Sequence, residues 1–306
     1  MTLSSNAIEI LKSLLYYDIF RHPLKKEEIA LYSSLSAHDD WTKDLLFLLE
    51  QQLIHERREF YYIGNDWSIV EKRIRGNKLA TIYLKHVRRH AYWLSKLPFI
   101  QCICISGSLS KHYMTPHSDV DYFIITDPNR VWFIRLFSTL LEKVLNLVDA
   151  KKYLCPNYVI SLDNLELKDR NIFTATEMAT LIPVYNVPVY DQFMAANTWV
   201  HSFLPNFKNE AVQSRSHRRP ASPWYSFMWD FMDLQLYKVY KAYYKQKFDH
   251  LIKGKSAPTD FVFERGCFKA HSTSNRNKIL DKFEEKIRQY ETIHDIHLTH
   301  SPVLEG

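Results

Sequence analysis

Apolar positions recur at helical spacing from the start of the chain. Ile8, Leu11, Leu14, Leu15 and Ile19 form one stripe over residues 6–20, with Asn6 and Glu9 as an N-cap pair. Pro23 and Leu24 break the chain. KKEEIALYS predicts a short second helix. Asp39 or Asp40 opens a third, striped by Trp41, Leu45, Leu48, Leu49 and Leu53. From Ile54 to Ile63 a charged turn lies between two extended arms, which is a hairpin signal. Three short helices and a hairpin make a winged-helix pattern over residues 1–65. The third helix carries Asp39, Asp40, Asp44 and Glu50 against Lys43 alone. That charge repels phosphate, so the pattern argues against DNA as partner and for a packing or protein-contact role.

Residues 66–98 read as one long basic connector helix ending at Pro98. Phe99 to Ile105 is a continuous apolar run, as in a strand buried on both faces. Ser106-Gly107-Ser108 follows, with a short helical stretch to Met114. Asp119 to Thr126 reads as a second strand, residues 130–148 as an amphipathic helix and Tyr158 to Leu162 as a third strand. Thr174 and Glu177 fit a capping box at the start of a further helix. A Pro-containing segment spans Pro183 to Pro188. A polar, basic loop with Arg215, Arg218 and Arg219 precedes a tyrosine-rich helix from Trp229 to Phe248, where Tyr237, Tyr240, Tyr243 and Tyr244 follow helical spacing and read as packing positions. A last helix runs from Asn277 to Ile293.

Composition places the chain among ordinary globular proteins: 306 residues, 46% hydrophobic and 24% charged. Six glycines argue against long flexible linkers. A net charge of +6 suits a polyphosphate or nucleic-acid ligand without demanding one. Cys102, Cys104, Cys155 and Cys267 show neither a CxxC pair nor a disulfide framework, so they read as reduced core thiols. No signal peptide or membrane span is evident at the N-terminus or in residues 131–148, so a cytoplasmic protein is expected. Zinc spacings, a nucleophile elbow and a Walker A loop are all missing from the sequence.

The chemistry concentrates in ISGSLSKHYMTPHSDVDYFIIT. A strand runs into Gly107-Ser108, where a glycine lets backbone approach a phosphate and a serine hydroxyl and free N–H groups bind its oxygens. Lys111 follows in the helix. The chain then returns with Asp119 and Asp121, whose i, i+2 spacing points both carboxylates the same way. Two like charges held together call for a cation between them, and hard oxygen ligands suit Mg²⁺, with Mn²⁺ as an alternative.

Gly107-Ser108 followed by Asp119-Val120-Asp121 resembles the signature of the DNA polymerase beta-type nucleotidyltransferase superfamily, in particular bacterial stand-alone nucleotidyltransferase-domain proteins. The resemblance covers residues 99–126 sharply and extends more loosely to 185. It implies that Gly107 and Ser108 hold the phosphates of a nucleoside triphosphate and that Asp119 and Asp121 hold the metal. Such proteins place a third carboxylate on a later strand. Here Asn157 to Leu162 contains no acid; Asp149 precedes it, and Asp163 at its end is the candidate third catalytic acid.

The expectation is therefore an α/β (α+β) protein with a mixed-sheet nucleotidyltransferase core over residues 99–200. The winged-helix-like module and connector precede it, and a helical C-terminal region over 201–306 follows. The expected activity is Mg-dependent transfer of a nucleoside monophosphate from the triphosphate to a hydroxyl of an unidentified acceptor (small molecule, protein or RNA). A nucleotide-binding module without turnover and a DNA-binding regulator are the rivals.

Overall fold

The computed structural model describes residues 2–35, 40–147, 155–208, 226–251, 261–270 and 275–298. Asp39, Asp149 and the arginines of the basic loop lie outside these residues.

The N-terminal elements occur in the expected order: α1 (Ser5–Asp18), α2 (Lys26–Leu31), α3 (Thr42–Glu50), β1 (His55–Arg57) and β2 (Phe60–Tyr62). Leu24 bridges Tyr61 and adds one rung to the hairpin. The cap of α1 is Ser4, whose hydroxyl accepts from the Ala7 N–H. Asn6, expected as the N-cap, is the second residue of the helix, and Glu9, expected to pair with it, pairs with Lys12. The hairpin's Arg58 pairs with Glu71, and Arg57 stacks on Trp67. Both partners lie at or near the start of α4 (Ser68–Leu94), which docks the hairpin onto that helix.

The central sheet is mixed and six-stranded. Its strands are β3 (Ile100–Ser106), β4 (Asp121–Thr126), β5 (Cys155–Ser161), β6 (Ile182–Tyr185), β7 (Phe261–Glu264) and β8 (Cys267–Ala270), in the order β6-β3-β4-β5-β8-β7. Only the β4–β5 pair is parallel. A parallel pair needs a crossover, and α6 (Val131–Leu147) supplies it.

Alternation on the strands sorts two cores. Ile103, Ile105, Tyr122, Ile124 and Val159 face α4, α6 and α10 (Ser226–Leu251), where Trp132 is fully buried. Cys102, Cys104, Phe123, Ile125 and Ile160 face α7 (Ile172–Ala179) and α8 (Val187–Ala196). Burial on both faces explains why β3 is mostly apolar, with Gln101 as the one polar residue before Ser106, its amide donating to Asp127. The thiols of Cys102, Cys104 and Cys267 are free and buried.

The expected helical character of residues 201–306 is corrected in one place. Residues 261–270 form a hairpin that extends the central sheet through β5. The bounds of the N-terminal module also change. The last helix, α11 (Asn275–His294), lays Ile279, Phe283, Ile287 and Tyr290 into the core of α1 and α3. Tyr290 donates to the Leu53 carbonyl and Lys286 pairs with Asp18. The two chain ends therefore share one core. Among the described residues, no helix is long and apolar enough to cross a membrane.

Candidate active site

Strands β3 and β4 bring the two motifs together. They are antiparallel neighbours, and the last residue of β3, Ser106, is the register partner of the first residue of β4, Asp121. The Gly-Ser turn and the second aspartate thus meet at one sheet end. Gly107 opens α5 (Gly107–Ser110) with φ +68°, a left-handed conformation that glycine alone adopts freely. The Asp121 carboxylate lies directly over it. A Cβ on Gly107 would collide with Asp121 Oδ2 and come within 3.0 Å of Cγ. Glycine is required here twice, for backbone conformation and for space.

Asp121 is half-buried, while Asp119 is exposed. The Asp121 carboxyl is pushed up to about 7. Burial is the largest cause, followed by the negative charges of Glu177 and Asp119; Lys111 and a hydrogen bond from Asn157 oppose the rise. Strand β4 starts at Asp121, so the strand expected from Asp119 is two residues shorter and Asp119 stands on the chain leading into it. Among the described residues, no group of three or more His, Cys, Asp or Glu side chains is placed to hold a metal ion.

Asp163 does not join this group. It is exposed and lies two residues beyond Ser161, which pairs with Thr126 at the opposite end of β4 from Asp121. Four residues of extended chain, roughly 13 Å, and then a turn separate it from Asn157. Asn157 takes the near position. Tyr122 pairs with Pro156 and Phe123 with Tyr158, so Asn157 is the extra residue of a bulge. Bulges re-aim side chains, and this one lets the Asn157 amide donate to Asp121 Oδ1.

The carboxylate that sequence reasoning missed is Glu177. The expected capping box at Thr174 and Glu177 is not formed. The helix α7 begins earlier, with Asn171 as the N-cap accepting from the Thr174 N–H at 2.9 Å. Glu177 is thereby one turn inside α7 and faces the Gly-Ser turn. Lys111 Nζ donates to Glu177 Oε1 at 2.7 Å and to the Gly107 carbonyl at 3.2 Å. A lysine expected to meet phosphate is held across the mouth of the turn. Ser108 is half-buried, its hydroxyl directed at the Met114 sulfur at 3.7 Å.

Two cavities share Gly107, Asp121 and Glu177. The inner one is small, about 50 Å³, and is bounded by Asn157, Thr174 and the buried Lys269. The outer one is a cleft of about 340 Å³, reaching from Ser108 and Lys111 to the end of α1. The outer volume falls at the low end of small-molecule sites.

No known protein family, curated protein or solved structure matches the chain.

Proposed function

We propose that the protein is a Mg²⁺-dependent nucleotidyltransferase, built on a nucleotidyltransferase-type core, that moves a nucleoside monophosphate from a nucleoside triphosphate to a hydroxyl acceptor. The observation that carries this reading is the stacking of the Asp121 carboxylate on the left-handed Gly107, with Asp119 beside it. A phosphate seated at the turn would lie against the same carboxylates that suit a divalent ion. When bound, that ion would neutralise charge on the triphosphate and the leaving pyrophosphate.

The chain's own residues divide the remaining work. Ser108 and the uncapped start of α5 offer donors to phosphate oxygens. Lys111 exchanges Glu177 for the incoming phosphates, which exposes the Glu177 carboxylate in the same cleft. Asn157 fixes the rotamer of Asp121. Labelled transfer from an α-labelled triphosphate, with pyrophosphate release, tests the assignment. The wild type should transfer in Mg²⁺ and an Asp119→Ala, Asp121→Ala double variant should not; equal transfer by both removes the assignment.

One observation favours a second reading. The side chain that reaches Asp121 from β5 is an amide, and an amide cannot take a proton from an attacking hydroxyl. A protein that binds nucleotide with Mg²⁺ and releases no pyrophosphate would fit that arrangement. Calorimetry beside the transfer assay separates the two readings.

A further inference from the structure

The outer cleft has a floor that suits phosphate and a wall that does not. The wall is the end of α1: Tyr17, Phe20 and His22, with Tyr113 beside them. Its construction is specific. Arg21 adopts φ +52°, the Arg21 N–H returns to the Asp18 carbonyl and the His22 N–H returns to the Tyr17 carbonyl. This is a Schellman ending with a non-glycine residue in the left-handed position, and it folds His22 back beside the helix end.

His22 is then locked. Arg73, with its side chain 3% exposed, lies 2.6 Å from Glu28 and sets Nη1 2.8 Å from His22 Nδ1. A guanidinium only donates, so Nδ1 must accept and the ring proton sits on Nε2. Burial and the nearby Arg73 and Lys111 charges keep His22 well below its usual range, hence neutral. Tyr113 meets His22 edge-on and is itself seated against α4, where a Cβ on Gly76 would collide with its ring. At the mouth, Phe20 is left 46% exposed. The result is a rigid aromatic wall with one fixed N–H donor, facing the turn that holds Ser108 and Lys111.

We propose that this wall is the seat of the nucleobase: the heterocyclic ring stacks on Phe20 and accepts a hydrogen bond from His22 Nε2–H, while the triphosphate occupies the Gly107-Ser108 turn. The N-terminal elements thereby become part of the substrate site, which assigns them a role other than DNA contact. This inference rests on the nucleotide reading above and adds to it that the ring, and not polyphosphate alone, is recognised.

Full-length protein titrated in Mg²⁺ with nucleoside triphosphates and with inorganic tripolyphosphate tests it. The wild type should bind at least one nucleoside triphosphate about tenfold or more tighter than tripolyphosphate, the range of one base–aromatic stack. Phe20→Ala, at an exposed position, should remove most of that difference and leave tripolyphosphate affinity unchanged. His22→Gln should narrow it in the same direction. Equal affinity of the wild type for both ligands, or a Phe20→Ala variant that retains the difference, overturns the base seat and leaves the triphosphate site standing. Binding of neither ligand overturns both.

Discussion

The carboxylate of Asp121 rests on the backbone of Gly107, so the Gly-Ser turn and Asp121 are one mechanical unit rather than two neighbouring motifs. Gly107→Ala tests that unit directly. The methyl group would displace the carboxylate and strain a left-handed backbone at a cost of about 1–2 kcal/mol. Mg²⁺-dependent nucleotide affinity should fall by about tenfold or more, and thermal unfolding should shift down. Unchanged affinity in a variant that melts lower would show that the contact is only structural.

Asp121 should also leave a signature on stability. Its carboxyl holds a proton up to about 7 in the folded chain, against the ordinary carboxylate range near 4 when unfolded. Between those values the native state carries the extra proton, so its stability falls as pH rises through that window. Asp121→Asn removes the ionisation and keeps an acceptor for Asn157. The variant should match wild type near pH 4 and exceed it at pH 8 by on the order of 1–3 kcal/mol. Urea unfolding without metal at the two pH values measures this. An advantage that is equal at both, or that appears only at low pH, would contradict the assigned cause.

On the proposed reading the same proton would compete with Mg²⁺, and its two neighbours pull in opposite directions. Glu177 raises the Asp121 carboxyl and Lys111 lowers it. Glu177→Gln should move the pH midpoint of Mg²⁺ binding down, and Lys111→Ala should move it up, each by about half a pH unit. Shifts of the same sign would mean that the Lys111–Glu177 pair acts by packing rather than by charge.

Much of the site is readable before any coordinates, because its geometry is local. The glycine turn follows the last residue of β3 and Asp121 opens β4, and consecutive antiparallel strands bring such ends together without further information. Glu177 was hidden because an identical Thr-x-x-Glu spacing serves a helix start, and only the true cap at Asn171 shows that the spacing is coincidental. Asn157 stands in the sequence at the start of the acid-free strand, but a single-residue bulge decides which way it points. The hairpin at residues 261–270 did leave a signal. Phe261-Val262-Phe263-Glu264 and Cys267-Phe268-Lys269-Ala270 flank the two-residue turn Arg265-Gly266, a short-loop hairpin pattern. Its pairing with β5, more than 100 residues earlier in the chain, left none.

Asp163 marks the same boundary from the other side. Its sequence position suggested a third acid, but the parallel pairing of β4 and β5 carries it to the far sheet end. Asp163→Asn should leave Mg²⁺-dependent binding and transfer within about twofold of wild type, as for an exposed residue remote from the site. A loss of tenfold or more would require a different register for β5.

The converse substitution addresses turnover. Asn157→Asp puts a carboxylate where the bulge already aims a polar side chain at Asp121. Without metal, the added like charge should raise the Asp121 carboxyl further and lower stability above neutral pH. With Mg²⁺ the penalty should reverse, because a third hard oxygen joins the site and a base becomes available to the acceptor hydroxyl. Mg²⁺ affinity should rise, and pyrophosphate release should rise by about tenfold or more, at the low end of what a positioned base contributes. A variant that binds Mg²⁺ more tightly yet releases no more pyrophosphate would place the missing function elsewhere, with Glu177 the next residue to vary. A variant that neither tightens Mg²⁺ binding nor loses stability in its absence would show that residue 157 does not reach Asp121 in solution.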